Sequence, residues 1–129
     1  MIGAQPDRAG RLAAALDRDG PTCVWCARRF GALVVPTTEH VVPRVKGGPS
    51  WLENEVAACR RCNRERGHRA PVPWLEECLR RGRRADGARL LRVLAELDAA
   101  IARRGGQRRA RPYVRSQLRR LNSLVGAHH

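Results

Sequence analysis

Two short cysteine pairs, Cys23-x-x-Cys26 and Cys59-x-x-Cys62, restrict this chain more than any other feature. A CxxC turn presents two sulfurs to one point, and four thiolates are a ligand set of tetrahedral zinc, with Zn–S about 2.3 Å. One ion shared by both pairs closes the intervening chain into a loop and holds its ends. The chain has reason to need such a clamp. It has 129 residues, and its 43% hydrophobic content leans on alanine with few large aromatics. A core built that way is thin. Free cysteines or a redox pair are the competing readings, and two matched pairs speak against both. A site saturated by sulfur is closed and structural, so any chemistry must lie elsewhere. Cys78, alone in a predicted helix, reads as a small buried hydrophobe.

Compartment and charge narrow the partners. No apolar run approaches the roughly 20 residues needed to span a bilayer. The N-terminal segment lacks the basic-then-apolar order of a secretory signal. The expectation is a cytoplasmic protein without membrane association, where a disulfide framework is disfavoured. Formal net charge is +14, from 26 basic and 12 acidic residues. Residues 1–78 carry 12 basic and 9 acidic side chains, whereas residues 79–129 carry 14 and 3. Every basic residue but Lys46 is arginine. A GC-rich coding bias accounts for arginine over lysine but not for its concentration in the tail. A polyanionic partner does. Nucleic acid ranks ahead of an acidic membrane, because no amphipathic segment joins a large apolar face to aromatic anchors.

Local signals predict a mixed order of helices and strands. Residues 6–18 read as a helix begun by Pro6 and Asp7 and stopped at Gly20-Pro21. After the CVWC turn, GALVV and TEHVV read as two short strands separated by Pro36. Residues 43–54, with two prolines and Gly47-Gly48, read as a loop. EVAAC then reads as a short strand, RCNRERGH as a helix, and APVP at 70–73 as a break. Beyond it one helix is expected from Trp74 to Arg81, a second from Asp86 to Arg104, and a third after Pro112. Leu90, Leu94, Leu97 and Ile101 form an apolar stripe on the second; Val114, Leu118, Leu121 and Val125 form one on the third. The implied organisation is an N-terminal helix (1–20), a central unit (21–70) and an arginine-rich helical extension (71–129). The helices after residue 83 would then be a basic surface separable from the central unit's chemistry. Trp25, Trp51 and Trp74 suit core packing better than base stacking. His128 and His129 carry no signal.

A second pattern lies between and beside the cysteine pairs: Glu39-His40, Pro43, Gly47-Gly48, Asn54 and, directly after Cys62, Asn63. Zinc needs none of these residues, and a plain DNA-binding module needs no histidine base. The string CVWC … EHVVPRVKGG … ENEVAACRRCNRERG, over residues 23 to 69, resembles the HNH endonuclease family in its branch stabilised by two CxxC pairs. The resemblance implies an α+β fold with a small ββα-metal core, a structural zinc knuckle and a basic helical C-terminal extension. The chain departs from the family pattern in three places. Asn63 stands where the last histidine is usual, Glu39 where aspartate is, and Arg66 where lysine is.

The chemistry explains the residue types. A histidine with an ordinary pKa of ~6.5 can take a proton from water at neutral pH, and the resemblance makes His40 the general base. Glu39, adjacent on an extended strand, points to the opposite face. The resemblance gives Glu39 and the amide oxygen of Asn63 a divalent cation to hold, and hard oxygen ligands suit Mg²⁺ or Mn²⁺. Asn54 takes the family's middle position, tying the loop to the strand and orienting the histidine. Arg44, Lys46, Arg60, Arg61, Arg64 and Arg66 are expected to meet phosphates around this centre, with His68 either a further phosphate contact or, the favoured reading, a bystander. The activity implied is hydrolysis of DNA phosphodiester bonds, by nicking or cutting. The expected substrate is duplex DNA bound with weak sequence specificity, since no recognition helix is evident. A single centre cuts one strand per engagement, so double-strand cutting calls for a homodimer or sequential nicks. Two alternatives stand beside this reading. One is a non-catalytic zinc-stabilised nucleic-acid-binding module, for which Glu39, His40 and Asn63 have no purpose. The other is a DNA-packaging accessory protein, as phage-encoded members of the family are.

Overall fold

The computed structural model describes residues 5–127. Helix α1 (Arg8–Asp19) is capped by Asp7, whose carboxylate accepts the Gly10 N–H at 2.8 Å, and ends at Gly20 with φ 91°. The first cysteine pair follows in a tight turn closed by the Ala27 N–H donating to the Cys23 carbonyl at 2.9 Å. Ala27 adopts a left-handed φ of 64° to do so. GALVV is not a strand. Gly31 and Val34 exchange backbone hydrogen bonds in a turn, and the ladder begins only at Pro36. Proline has no N–H to give, so it can open a strand at its first residue.

Strand β1 (Pro36–His40) pairs antiparallel with β2 (Glu55–Cys59), Pro36 opposite Cys59 and His40 opposite Glu55. The connection between them is a loop tightened by 3₁₀ turns at Arg44–Lys46 and Leu52–Asn54. Helix α2 (Arg60–Arg66) leaves β2 directly, and the Cys59 sulfur caps it by accepting the Cys62 N–H. The strand–helix junction therefore carries the second cysteine pair.

APVP opens a helix rather than breaking the chain. Helix α3 (Pro71–Arg80) has Pro71 and Pro73 in its first turn, where backbone N–H groups have no intrahelical partner to lose. Helix α4 (Gly87–Arg104) is capped by Asp86, which accepts the Arg89 N–H at 2.9 Å. Helix α5 (Ala110–Ala127) begins two residues before Pro112 for the same reason as α3.

The helices after residue 70 complete the core. Trp25 of the cysteine turn meets Trp74 of α3 edge to face, centroids 6.5 Å apart. Val24, Val41 and Val56 belong to the same continuous cluster as Leu90, Leu94, Leu97 and Ile101 of α4 and Val114 and Leu121 of α5. Polar ties cross the same seam. The Asp86 N–H donates to the Val24 carbonyl at 2.8 Å, and Arg89 donates to both the carbonyl and hydroxyl oxygens of Thr22 at 2.8 Å. Val125, expected on the buried stripe of α5, is exposed beside Leu79 at an open groove. The 10-residue α3 is too short to cover the end of the 18-residue α5. His128 and His129 lie outside the described residues. Among those residues no helix is long and apolar enough to cross a membrane.

Candidate active site

The cysteine knuckle comes from two turns that the strand pair holds together. The sulfurs of Cys23, Cys26, Cys59 and Cys62 all lie within 4.8 Å of one another. Each receives an N–H. Backbone groups of Trp25 and Cys59 donate to Cys23, Arg28 donates to Cys26 and Cys59, and Arg83 donates to Cys62, all at 3.2–3.4 Å. Such donors favour thiolate over thiol. The Cys62 thiol, with those backbone groups, holds Cys23 well below the ordinary thiol range. Four thiolates around a divalent ion leave two surplus negative charges, and Arg28 and Arg83 supply two positive ones. The cluster is thus suited to a structural metal such as zinc. Arg83 lies far beyond the cysteine pairs in sequence, and no spacing signal could have found it.

A second site opens where β1 ends. A cleft of about 220 Å³ is lined by Glu39, His40, Arg44, Asn63 and His68 among others. The imidazole Nε2 of His40 lies 3.0 Å from the Ser50 hydroxyl. Ser50 was not anticipated, since a serine in a Gly-Pro turn has no distinguishing pattern. Burial, and then the charges of Arg44, Arg11, Arg8 and Arg66, push the His40 pKa down to about 4. His40 is therefore neutral at pH 7 and has a lone pair to offer.

Glu39 turns to the other side of β1, as alternation along a strand requires. The Trp25 indole N–H donates to its Oε2, and an Arg66 guanidinium nitrogen lies 3.5 Å from its Oε1. Burial raises the Glu39 pKa, opposed by the Arg66 charge. Oε1 is buried with no hydrogen bond, and the Arg66 guanidinium is the charge that meets it. Glu39 and Asn63 both line the cleft.

Asn54 is fully buried and acts as a clasp. Its Oδ1 accepts the Val42 N–H at 2.9 Å, and its Nδ2 donates to the Val42 and Pro49 carbonyls at 3.1 and 2.9 Å. Gly48 is required beside it, because a Cβ there would sit 1.8 Å from the Val42 carbonyl oxygen. The clasp sets the loop that carries Arg44 and Ser50.

The expected phosphate contacts divide. Arg44 lines the cleft, and Lys46 is exposed on the same loop. Arg66 is not a surface contact at all. It is 2% exposed, and its guanidinium donates to the carbonyls of His40, Val41 and Arg69 at 2.6–2.9 Å while stacking over Trp25. Its charge is used to hold the end of β1 against α2. Arg60, Arg61 and Arg64 do not flank the cleft but line a separate concavity beside the knuckle. Residues four apart share a helix face, so Arg60 and Arg64 look one way while Asn63 and Gly67 look toward the cleft.

Two strands, a following helix and a cysteine clamp define a small ββα domain with a metal-binding knuckle. Residues 23–78 match the family model described as HNH endonuclease, so this segment of the chain is similar to that family. The matched segment reaches into α3 and so includes Trp74, which packs on Trp25. Similarity to this family suggests a nuclease-type function with nucleic acid as substrate. No curated protein matches the chain.

Proposed function

We propose that this chain is a zinc-stabilised endonuclease that hydrolyses DNA phosphodiester bonds with Mg²⁺ or Mn²⁺. The observation that carries the reading is His40, a neutral imidazole in an open polar cleft with Ser50, Arg44 and Asn63 around it. Its ring is oriented by Ser50 and takes the proton of the attacking water. Burial weakens this base most, and of the arginine charges that weaken it further, that of Arg44 lines the cleft, where a bound phosphate would offset it. Arg44 meets the phosphate and stabilises the charge that grows on it during attack. Glu39, through Oε1, and Asn63 would hold the divalent cation, which supplies electrostatic stabilisation of the phosphate and the leaving oxygen when bound. Zinc in the Cys23, Cys26, Cys59 and Cys62 knuckle keeps β1 and α2 in register and takes no part in the reaction.

Nicking of supercoiled plasmid with and without added Mg²⁺ tests this. His40→Ala is expected to cut the rate by about 10²–10⁴, with zinc content and DNA affinity near wild type. Raised Mn²⁺ is expected to rescue Asn63→Ala in part and His40→Ala not at all, since no cation replaces a proton acceptor. Undiminished nicking by His40→Ala would overturn the assignment. One observation favours the non-catalytic binding module as the second reading: Glu39 already has Arg66 and Trp25 as partners. Under that reading wild-type protein binds DNA and never nicks it, whatever the metal.

A further inference from the structure

Three neighbouring concavities adjoin through shared lining residues and together trace a groove. Thr38 lines both the His40 cleft and a second concavity of about 540 Å³, which Arg8, Leu12 and Thr37 also border. Arg60 lines that second one and also a third, of about 290 Å³, where Arg61 and Arg64 stand beside the knuckle. The groove therefore leads from Arg44 over the edge of β1, past Arg8, to Arg60 and α2.

The charges along it are uncompensated. Among the described residues Arg8, Arg44, Arg60, Arg61 and Arg64 have no acidic partner; on α5 Arg111 and Arg119 have none either, whereas Arg115 and Arg120 are paired with Asp98 and Glu76. Arg8 donates to the hydroxyls of Thr38 and Thr37 at 3.2 and 3.3 Å, contacts that aim its guanidinium without neutralising it. A fixed guanidinium with spare donors matches two oxygens of one phosphate. The arginines of α5 offer a different surface: Arg111, Arg115 and Arg119 line a concavity that shares no residue with the cleft.

We propose that the backbone of bound DNA lies along this groove, with Arg8 and Arg60 as phosphate contacts, and not along α5. The proposal rests on the nuclease reading only for where the reacting phosphate sits. Because α1 lies before the matched segment at 23–78, the groove makes the N-terminal helix part of the substrate platform.

Fluorescence anisotropy of a labelled DNA duplex, titrated with the full-length protein without added Mg²⁺ over a range of salt, tests the track. Each lost phosphate contact lowers the slope of log affinity against log salt by about 0.9. Arg8→Gln and Arg60→Gln should each lose about that much, while Arg111→Gln and Arg119→Gln keep the wild-type slope. Glutamine at position 8 can still donate to the threonines, and zinc content and melting temperature identify any misfolded variant. Arg8→Ala provides a second variant at that position, and it should show the same loss of slope. Unchanged slopes at Arg8 and Arg60, or equal losses at all four positions, would overturn the proposal. Plasmid nicking by the same proteins separates it from the nuclease reading. Binding along the groove without nicking removes the enzyme and leaves the track, and nicking with unchanged slopes does the reverse.

Discussion

Asn54 and Gly48 touch no expected substrate atom, yet they set the geometry around His40. Asn54 satisfies the Val42 N–H and two carbonyls inside the protein. Asn54→Ala leaves those groups without partners, at a cost of about 1–3 kcal/mol for an orphaned donor, measurable by urea denaturation. Nicking should fall as well, because the loop bearing Arg44 and Ser50 loses its clasp. Gly48→Ala should be worse, since a Cβ cannot share space with the Val42 carbonyl and the backbone itself must move. A Gly48→Ala protein with wild-type stability and activity would show that this loop tolerates displacement. Histidine beside glutamate, and an asparagine in mid-loop, were visible as a pattern. The burial of Arg66 was not, because a charged side chain in a basic run reads as surface. The three carbonyls gathered around it, with the Glu39 carboxylate and the Trp25 ring, accommodate that charge in the interior.

Among the elements, the knuckle joins the strand pair to α2. We expect one zinc per chain, held by Cys23, Cys26, Cys59 and Cys62, and Cys26→Ser should cost the metal and the fold together. Arg83 provides a finer test, since it donates to the Cys62 sulfur at 3.3 Å and pairs with Glu65 at 2.6 Å. Removing a partner that hydrogen-bonds to a metal ligand typically weakens affinity by about 10–100-fold. Arg83→Ala should show a loss of that order in competition with a colorimetric chelator, while the cleft stays intact. An unaltered zinc affinity would mean that Arg83 serves Glu65 alone. Helix boundaries were read well wherever a cap marked them, as at Asp7 and Asp86. They were misread at APVP, where proline stops a helix from behind but starts one from in front.

At the scale of the whole molecule, the later helices also hold the loop beside the candidate site. Arg104 pairs with Glu53 at 2.7 Å and lies over Trp51, and Arg109 donates to the Val45 carbonyl at 2.6 Å. Ending the chain after Arg83 would strip α4 and α5 from a continuous core, and each buried leucine lost forfeits about 1.5–3 kcal/mol. The truncated protein should therefore be insoluble or unfolded by circular dichroism, with no nicking at any salt. A folded and active truncation would show that the central unit stands alone. The sequence by itself determined the cysteine clamp, the order of elements apart from the GALVV turn and the start of α3, and the likeness to HNH nucleases, because each depends on residues close together along the chain or on helical and strand periodicity. Only the tertiary structure decided which arginines are buried, which balance the thiolates and which remain open along a groove. Charge is a property of a residue type, but its use depends on the neighbours that folding brings to it.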